Sequence, residues 1–468
     1  MDLEQFRRHG HAAIDKIADY LAEVEHRPVR APVVPGEVDA QLARCAPELP
    51  EDMAEILADF ERVVMPGITH WQHPRFFAYF PANATPPSVL AEILTAGIAA
   101  QCMLWQTSPA ATEMETRVLD WLRRAIGLPD GFTGVIQDSA SSATLAALVA
   151  ARERALDGSG NADGLAPHRP VTVYATAEAH SSVEKACRIA GIGSAGLRRV
   201  ATDEAGRTDA ADLAVRIAAD RADGYHPAAV IATLGSTGIG AIDPLADIAA
   251  VTRAEDVHLH VDAAWAGSAL LLDEWRWMID GVAGVDSFVF NPHKWLGVQF
   301  DCAAHFVREP GLLTAALGIR PSYLTSRETG AVVDYRDWSI PLGRRFRALK
   351  LWFTLRAYGL EALRGMIRRH IAWTAELAGW IDTAPDFELT TPPSLALLTF
   401  RHVPEGVADP DAHNRALLER VNADGFLYLT PHTHHGRAVL RWSIGAHTTE
   451  RHHVVESWER VTSLARGG

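Results

Sequence analysis

The sequence predicts an α/β fold: a mainly parallel central sheet, an N-terminal helical arm and a small C-terminal α+β domain. Three observations lead there. Short β-rich runs alternate with helical stretches between about residues 110 and 350. A Pro-rich connector, "HRPVRAPVVPGEV" (26–38), divides the first helical segment from the rest. After about residue 350 the alternation gives way to one long helical stretch and a group of strand-like runs. Strands that alternate with helices build a parallel sheet covered on both faces.

The elements follow in order. Residues 1–26 carry Phe6, Ala13, Ile14, Ile17 and Leu21 at helical spacing, an amphipathic helix. The connector holds too many prolines for a regular element. "EDMAEILADFERVVMPGI" (51–68) is a second helix, ended by Pro66 and Gly67. "EMETRVLDWLRRAIGL" (113–128) and "SSATLAALVAARERAL" (141–156) are helices, the latter with Ser141 or Ser142 as its cap. The runs 171–176, 228–235, 257–265 and 286–292 are strands, with helices at 210–220 and 245–255 among them. Residues 156–168, rich in Gly, Ala and Asp, read as a surface loop. The long helix 351–381 has a break near Gly359, and strands at 395–403, 426–431 and 438–445 precede a last helix at 449–465. The expected domains are the arm, 1–80, a large domain, 81–352, and a small one, 353–468.

The net charge of −14 argues against nucleic acid or an anionic membrane as a partner. No apolar run is long enough to span a bilayer, and the N-terminus, with Asp2 and Glu4, is not a signal peptide. The four cysteines, Cys45, Cys102, Cys187 and Cys302, are scattered, as suits a reduced cytoplasmic protein. "HTHHGR" (432–437) is dense in histidine but lacks a partnering carboxylate or cysteine pattern. It reads as a hairpin loop, and no metal site is expected.

Ligands of such sheets sit at the carboxyl ends of the strands. There, Lys294 stands in the apolar and aromatic stretch "NPHKWLGVQF" (291–300), as an ion-pair partner, a snorkelling side chain or a nucleophile. Asp262 ends an apolar strand, where it caps a turn or meets a cation or ligand. "QDSASSAT" (137–144) places hydroxyls and free N–H groups at a helix start, an N-cap or a phosphate seat. His180 in "AEAHSSVEKA" is a surface residue or stacks on a ring.

Together, "HVDAAWAGSA" (260–269) and "NPHKWL" (291–296) resemble the group II pyridoxal phosphate (PLP)-dependent decarboxylases, in particular the aromatic-L-amino-acid decarboxylase branch. So do "ITHWQHPRFFAYFPA" (68–82), "SPAATEMET" (108–116), "GVIQDSASSATL" (134–145), "AHSSVEKA" (179–186), "ATLGSTGIGAID" (232–243) and "DYRDWSIPLGRRFRALKLW" (334–352). The likeness covers nearly the whole chain. It implies the aspartate aminotransferase-like fold type I, with a seven-stranded central sheet. It also implies roles. Lys294 is the imine lysine, and Asp262 pairs with the pyridine nitrogen. Ala264 and His180 take opposite faces of the ring. Ser139, Ala140, Ser141 and Asn291 hold the phosphate. His293 lines the site, and Thr237 lies near the 3′-oxygen.

Two further positions narrow the reaction. Tyr323, in "IRPSYLTS" (319–326), stands where decarboxylases of this branch carry the tyrosine that protonates Cα. Related aldehyde synthases carry Phe there or replace the histidine matched by His180. Trp71, Tyr79, Phe80 and Pro81 match an aromatic substrate pocket. Gly343 matches a position where Gly goes with roomier pockets. Gln101 and Met103 depart from the bulkier apolar residues of animal members, and Ala82 replaces a hydroxyl residue. The expectation is decarboxylation of an aromatic L-amino acid by a homodimer with active sites at its interface. The alternatives are an oxidative aldehyde synthase on the same scaffold and a catalytically silent binding protein.

Overall fold

The computed structural model describes residues 1–319 and 330–467, and the chain forms two compact units. The larger comprises Ala82–Ala372 and Thr391–Leu398; the other comprises Met1–Pro81, Trp373–Thr390 and Thr399–Gly468.

The larger unit is built on seven strands: β1 (Thr133–Gln137), β2 (Val171–Thr176), β3 (Leu197–Val200), β4 (His226–Thr233), β5 (His258–Asp262), β6 (Ser287–Phe290) and β7 (Ala303–Val307). Their order is β1-β7-β6-β5-β4-β2-β3, and all run parallel except β7, which is antiparallel to both β1 and β6. The carboxyl ends of β1, β2, β4, β5 and β6 therefore share one edge. Strands β2, β5, β6 and β7 are buried along their whole length. Burial on both faces is why they read as continuous apolar runs rather than alternating ones. Helices Ala140–Ala155 and Ser182–Ile189 pack on β2 and β4 through Leu148, Ala151, Val173, Val183, Ala229 and Ile231.

Several boundaries differ from the sequence reading. The helix after β1 starts at Ala140, so its cap is Ser139 and not Ser141 or Ser142. Ser139 is extended (φ −152°, ψ 160°) and its hydroxyl accepts the Ser142 N–H, as an N-cap requires. The stretch 156–168 is not wholly loop, since Ser159–Asp163 closes a short helix. The long helix Arg347–Thr383 is interrupted at Gly359 as expected, where φ is +68°.

In the second unit β8 (Phe387–Leu389), β9 (Leu397–His402), β10 (Thr430–His434) and β11 (Arg437–Ser443) form a four-stranded sheet in the order β10-β11-β9-β8. The "HTHHGR" stretch is thus not simply a loop. His432 and His434 lie in β10, and the turn is only His435–Gly436, both with positive φ. Of the strand expected at 426–431, only its last two residues join β10.

Helix Leu3–Glu23 opens with a capping box between Asp2 and Gln5, yet buries no residue. Its apolar Leu3, Phe6, Ile14 and Ile17 all face solvent. Among the described residues no helix is long and apolar enough to cross a membrane. No group of three or more His, Cys, Asp or Glu among them is placed to hold a metal ion.

Candidate active site

Strand pairing brings three segments to one edge of the large sheet. Asp262, the last residue of β5, lies opposite Val289 of β6. Beyond it the Ala263 N–H donates to the Val289 carbonyl and the Asn291 N–H to the Ala264 carbonyl, both at 2.9 Å. The segments carrying Asp262 and Lys294 are therefore laced together by the backbone. β7 alone separates β6 from β1, which sets their axes about 10 Å apart. Small side chains let the helix start close over this edge: Ala140 and Ala143 pack with Val289 and Ala303, and Ala264 packs against the same cluster.

At the helix start, Ser139 caps the third helical N–H. The N–H groups of Ala140 and Ser141, at the first two helical positions, have no acceptor within the helix. They face the positive end of a helix dipole, which favours an anion. Asn291 is buried and its amide oxygen has no hydrogen-bond partner among the described residues. A buried amide left unanswered by the protein is what a ligand site requires.

Asp262 is buried, with Oδ1 accepting the Ala264 N–H at 3.0 Å. One pleat back along β5, His260 shares hydrogen bonds with Thr144 (3.2 Å) and Ser287 (2.7 Å), tying helix, β5 and β6 together. Lys294 is half-buried in the turn after β6, its N–H bonded to the Asn291 carbonyl at 2.9 Å. Next to it His293 is buried, and its Nδ1 accepts the Cys302 N–H at 2.9 Å. Burial first, then the neighbouring Lys294 charge, push its pKa down to about 3, so it is neutral. His180 follows β2 on the same edge. It is exposed as a residue, but its Nδ1 edge is turned onto the buried Ser182. Desolvation lowers its pKa; Asp262 opposes that, and Lys294 and Lys185 reinforce it. His180, Asp262 and Lys294 thus lie within electrostatic reach of one another.

Thr237 is exposed, in an otherwise buried turn after β4. That turn is latched by the buried Asp243 carboxylate, which accepts the N–H groups of Thr208 (2.8 Å) and Thr233 (2.7 Å). Gln101, Met103 and Gly343 also come together in this unit. Gln101 Oε1 accepts the Arg344 N–H at 3.3 Å, and the Cys102 N–H donates to the Arg344 carbonyl. Met103 lends its carbonyl to the Arg336 N–H at 3.0 Å. A Cβ on Gly343 would lie 3.6 Å from Gln101 Oε1, an ordinary contact.

The remaining residues expected to bind substrate belong to the second unit. Trp71 stacks on Tyr79 at 5.7 Å, both partly exposed. Tyr79 has φ +49°, a conformation that costs a non-glycine residue of order 1 kcal/mol and is retained at functional sites. The buried Phe80 lies under the Arg441 guanidinium at 4.5 Å. Pro81 packs beside Gly445. Tyr323 lies outside the described residues.

A family model, described as the pyridoxal-dependent decarboxylase conserved domain, matches residues 35–403. The chain belongs to the pyridoxal-dependent decarboxylase family. Among curated relatives of this decarboxylase, phenylacetaldehyde synthase of Arabidopsis thaliana is 42% identical over 99% of this chain and 96% of its own. Aromatic-L-amino-acid decarboxylase of Mus musculus is 40% identical over 99% and 98%. The crystal structure of Oryza sativa TDC with PLP and tryptamine matches with a TM-score of 0.96 and 36% identity, over 100% of this chain and 98% of that one. The fold is that of fold type I, and the cofactor is PLP. The donor set fits it, with a carboxylate, a lysine and an anion seat on one edge.

Sequence reasoning missed three contributors to the decarboxylase site. Trp265 and Trp295, which flank the catalytic segments, stack on each other. Ser182 holds His180. Glu115 anchors Arg344 in a buried pair and accepts the Ile136 N–H at 2.8 Å. Each of these residues lies inside a quoted motif, Trp265 in 260–269, Trp295 in 291–296, Ser182 in 179–186 and Glu115 in 108–116, but the motifs alone do not show their contacts.

Proposed function

We propose that the protein decarboxylates aromatic L-amino acids to the corresponding aryl-alkylamine and CO2. The observation that carries this reading is that Asp262, Lys294 and His180 lie on one carboxyl edge of the sheet, within electrostatic reach of one another. When bound, PLP supplies an electron sink for the pair left on Cα as CO2 departs. The chain's residues serve that step. The Asp262 carboxylate holds a proton at the pyridine nitrogen, because an anion beside it favours the charged form. The Ala140 and Ser141 N–H groups, with Ser139 and Asn291, bind the phosphate. Ala264, His180 and Thr237 would hold the cofactor's ring, and His293 would line the site as a neutral ring. Lys294 would hold the cofactor through its side-chain amine. Tyr323 delivers the proton to Cα.

Trp71, Tyr79, Phe80 and Pro81 serve substrate binding, and so do Gln101, Met103 and Gly343. The Trp71–Tyr79 stack favours a flat ring, and no cation among these residues would balance a side-chain carboxylate. The bare Cα of Gly343 leaves room for an indole. The relatives' aromatic chemistry supports the same substrate class. The likeness to phenylacetaldehyde synthase supports a second reading, oxidative aldehyde formation on the same scaffold. His180 and Tyr323 together favour the amine. The uncovered apolar face of helix Leu3–Glu23, and exposed Leu90, Ile93, Leu94 and Ile98 on helix Pro86–Ile98, support a homodimer. All four cysteines are free, which supports a cytoplasmic setting.

The test is a substrate panel on the purified holoenzyme: tryptophan, tyrosine, phenylalanine, DOPA, histidine and glutamate, with CO2, amine and peroxide measured. Amine and CO2 from at least one aromatic amino acid, without stoichiometric peroxide, is expected. Turnover of glutamate alone would overturn the substrate class, and aldehyde with peroxide would favour the second reading.

A further inference from the structure

His180 is gripped by one edge of its ring. Ser182, the first residue of helix Ser182–Ile189, donates its backbone N–H to Nδ1 at 3.2 Å and places its hydroxyl 2.8 Å from the same nitrogen. A backbone N–H only donates. Nδ1 must therefore present its lone pair, and the ring proton must sit on Nε2. A proton on Nδ1 would set donor against donor. Ser182 is only 6% exposed, so water does not compete for the contact. The His180 carbonyl accepts the Val183 N–H at 3.0 Å, which fixes the backbone on the other side of the ring. The helix start thus holds both the position and the tautomer of the imidazole.

We propose that Ser182 is a positioning residue that fixes His180 as the neutral Nε2–H tautomer and sets the plane of its ring over the active site. Nε2–H is then the single donor that the ring offers to what binds there. The hydrogen bond made by one imidazole nitrogen decides what the other can do, which is why a serine remote from the reacting atoms affects the rate. The proposal rests on the functional reading above for its kinetic consequence, but not for the tautomer.

Ser182→Ala removes the shorter of the two contacts and leaves the longer one. Ser182→Thr keeps the hydroxyl. In 15N-histidine NMR of the holoenzyme, the signal that disappears in His180→Asn belongs to His180. It is expected to report a neutral Nε2–H ring in the wild type and in Ser182→Thr, and a mixture of tautomers in Ser182→Ala. With the best aromatic substrate, Ser182→Ala is expected to lower kcat about tenfold while KM changes less than about twofold, and Ser182→Thr is expected to restore kcat. An Nδ1–H or doubly protonated ring in the wild type at neutral pH would overturn the proposal. So would an unchanged tautomer and kcat in Ser182→Ala, or equal losses in both variants, which would show that only packing matters. Should the wild type turn over no aromatic amino acid, the functional reading fails, and the NMR arm still decides the tautomer.

Discussion

The indole of Trp265 lies on that of Trp295, ring centroids 4.9 Å apart and 14° from parallel. Trp265 is three residues beyond Asp262, and Trp295 directly follows Lys294. Both rings are buried, and Trp295 Nε1 donates to His370 Nδ1 at 2.9 Å. The stack therefore ties the segment that follows Asp262 to the one that carries Lys294.

Trp295→Leu should cost about 3 kcal/mol of stability, through a lost stack, a cavity and the lost bond to His370. It should also weaken PLP retention, because the two segments lose their common reference. Urea unfolding and a PLP titration check this. A loss under about 1 kcal/mol with unchanged PLP affinity would show that the stack plays no part in positioning.

Asp262→Asn separates charge from capping. The amide oxygen can still accept the Ala264 N–H, so stability should change by no more than about 1 kcal/mol. The negative charge is lost, and kcat should fall by about a hundredfold or more with a much smaller effect on KM. Steady-state kinetics decide the matter. An unchanged kcat would leave Asp262 as a structural cap.

The core carries a second expectation, in pH. His258, His260 and His305 are buried beneath the site, and burial pushes His258 to about 4, His305 to about 3 and His260 well down. The unfolded chain takes up protons on these rings as pH falls below about 6.5, while the folded chain does not. Their contribution to stability is full above about pH 6.5 and is lost as pH falls towards 4 and 3. Buried Asp243, raised to about 6, acts in the opposite sense and offsets part of this. Both ring nitrogens of His305 lack a partner among the described residues. His305→Leu should thus raise stability by about 1 kcal/mol at neutral pH and shallow the acid loss. Thermal unfolding from pH 7 to 4 tests it, and a variant that unfolds earlier at every pH would contradict it.

Gly343→Ser adds a side chain where space exists, 3.6 Å from Gln101 Oε1. The fold should be unaffected, while kcat/KM for tryptophan should fall by about tenfold relative to phenylalanine, since one added group in a pocket is worth about 1–3 kcal/mol. Competing-substrate assays measure the ratio, and an unchanged ratio would remove Gly343 from the pocket.

Tyr323→Phe keeps the ring and removes a hydroxyl. Without that proton donor, less amine and more aldehyde, ammonia and hydrogen peroxide are expected from tryptophan in air. Tryptamine and peroxide measured side by side test this, and a wild-type amine yield without added peroxide would end the proton-donor role.

What was legible in the sequence followed from local pattern. Val171–Thr176 was read at its full extent, and the break at Gly359 was foreseen, because both are written in a few adjacent residues. β1 and β7 were missed: "TGVIQ" and "AAHFV" are short, and the first carries a glycine at its second position. The cap at Ser139 was misplaced because three serines in four residues offer equal hydroxyls, and only the extended backbone at Ser139 chooses among them. The Trp265–Trp295 stack and the meeting of Gln101 with Gly343 join residues far apart in the chain, which no local periodicity reports.

The place of β1 in the sheet has a consequence for when the protein becomes able to hold its cofactor. β1 is an edge strand whose only neighbour among the described residues is β7, so Thr133–Gln137 must wait for Ala303–Val307. The proposed phosphate seat follows directly on β1. On a ribosome adding about 5–20 residues per second, that interval lasts on the order of ten seconds or more. During it the seat's strand has exposed edges and no partner. Pairing across so long a stretch of chain carries a high loop-closure cost and slows the search for the native state. Cofactor capture is therefore set late in biogenesis, after the nascent chain has passed Val307. A chain truncated before that point should neither bind PLP nor be rescued by it.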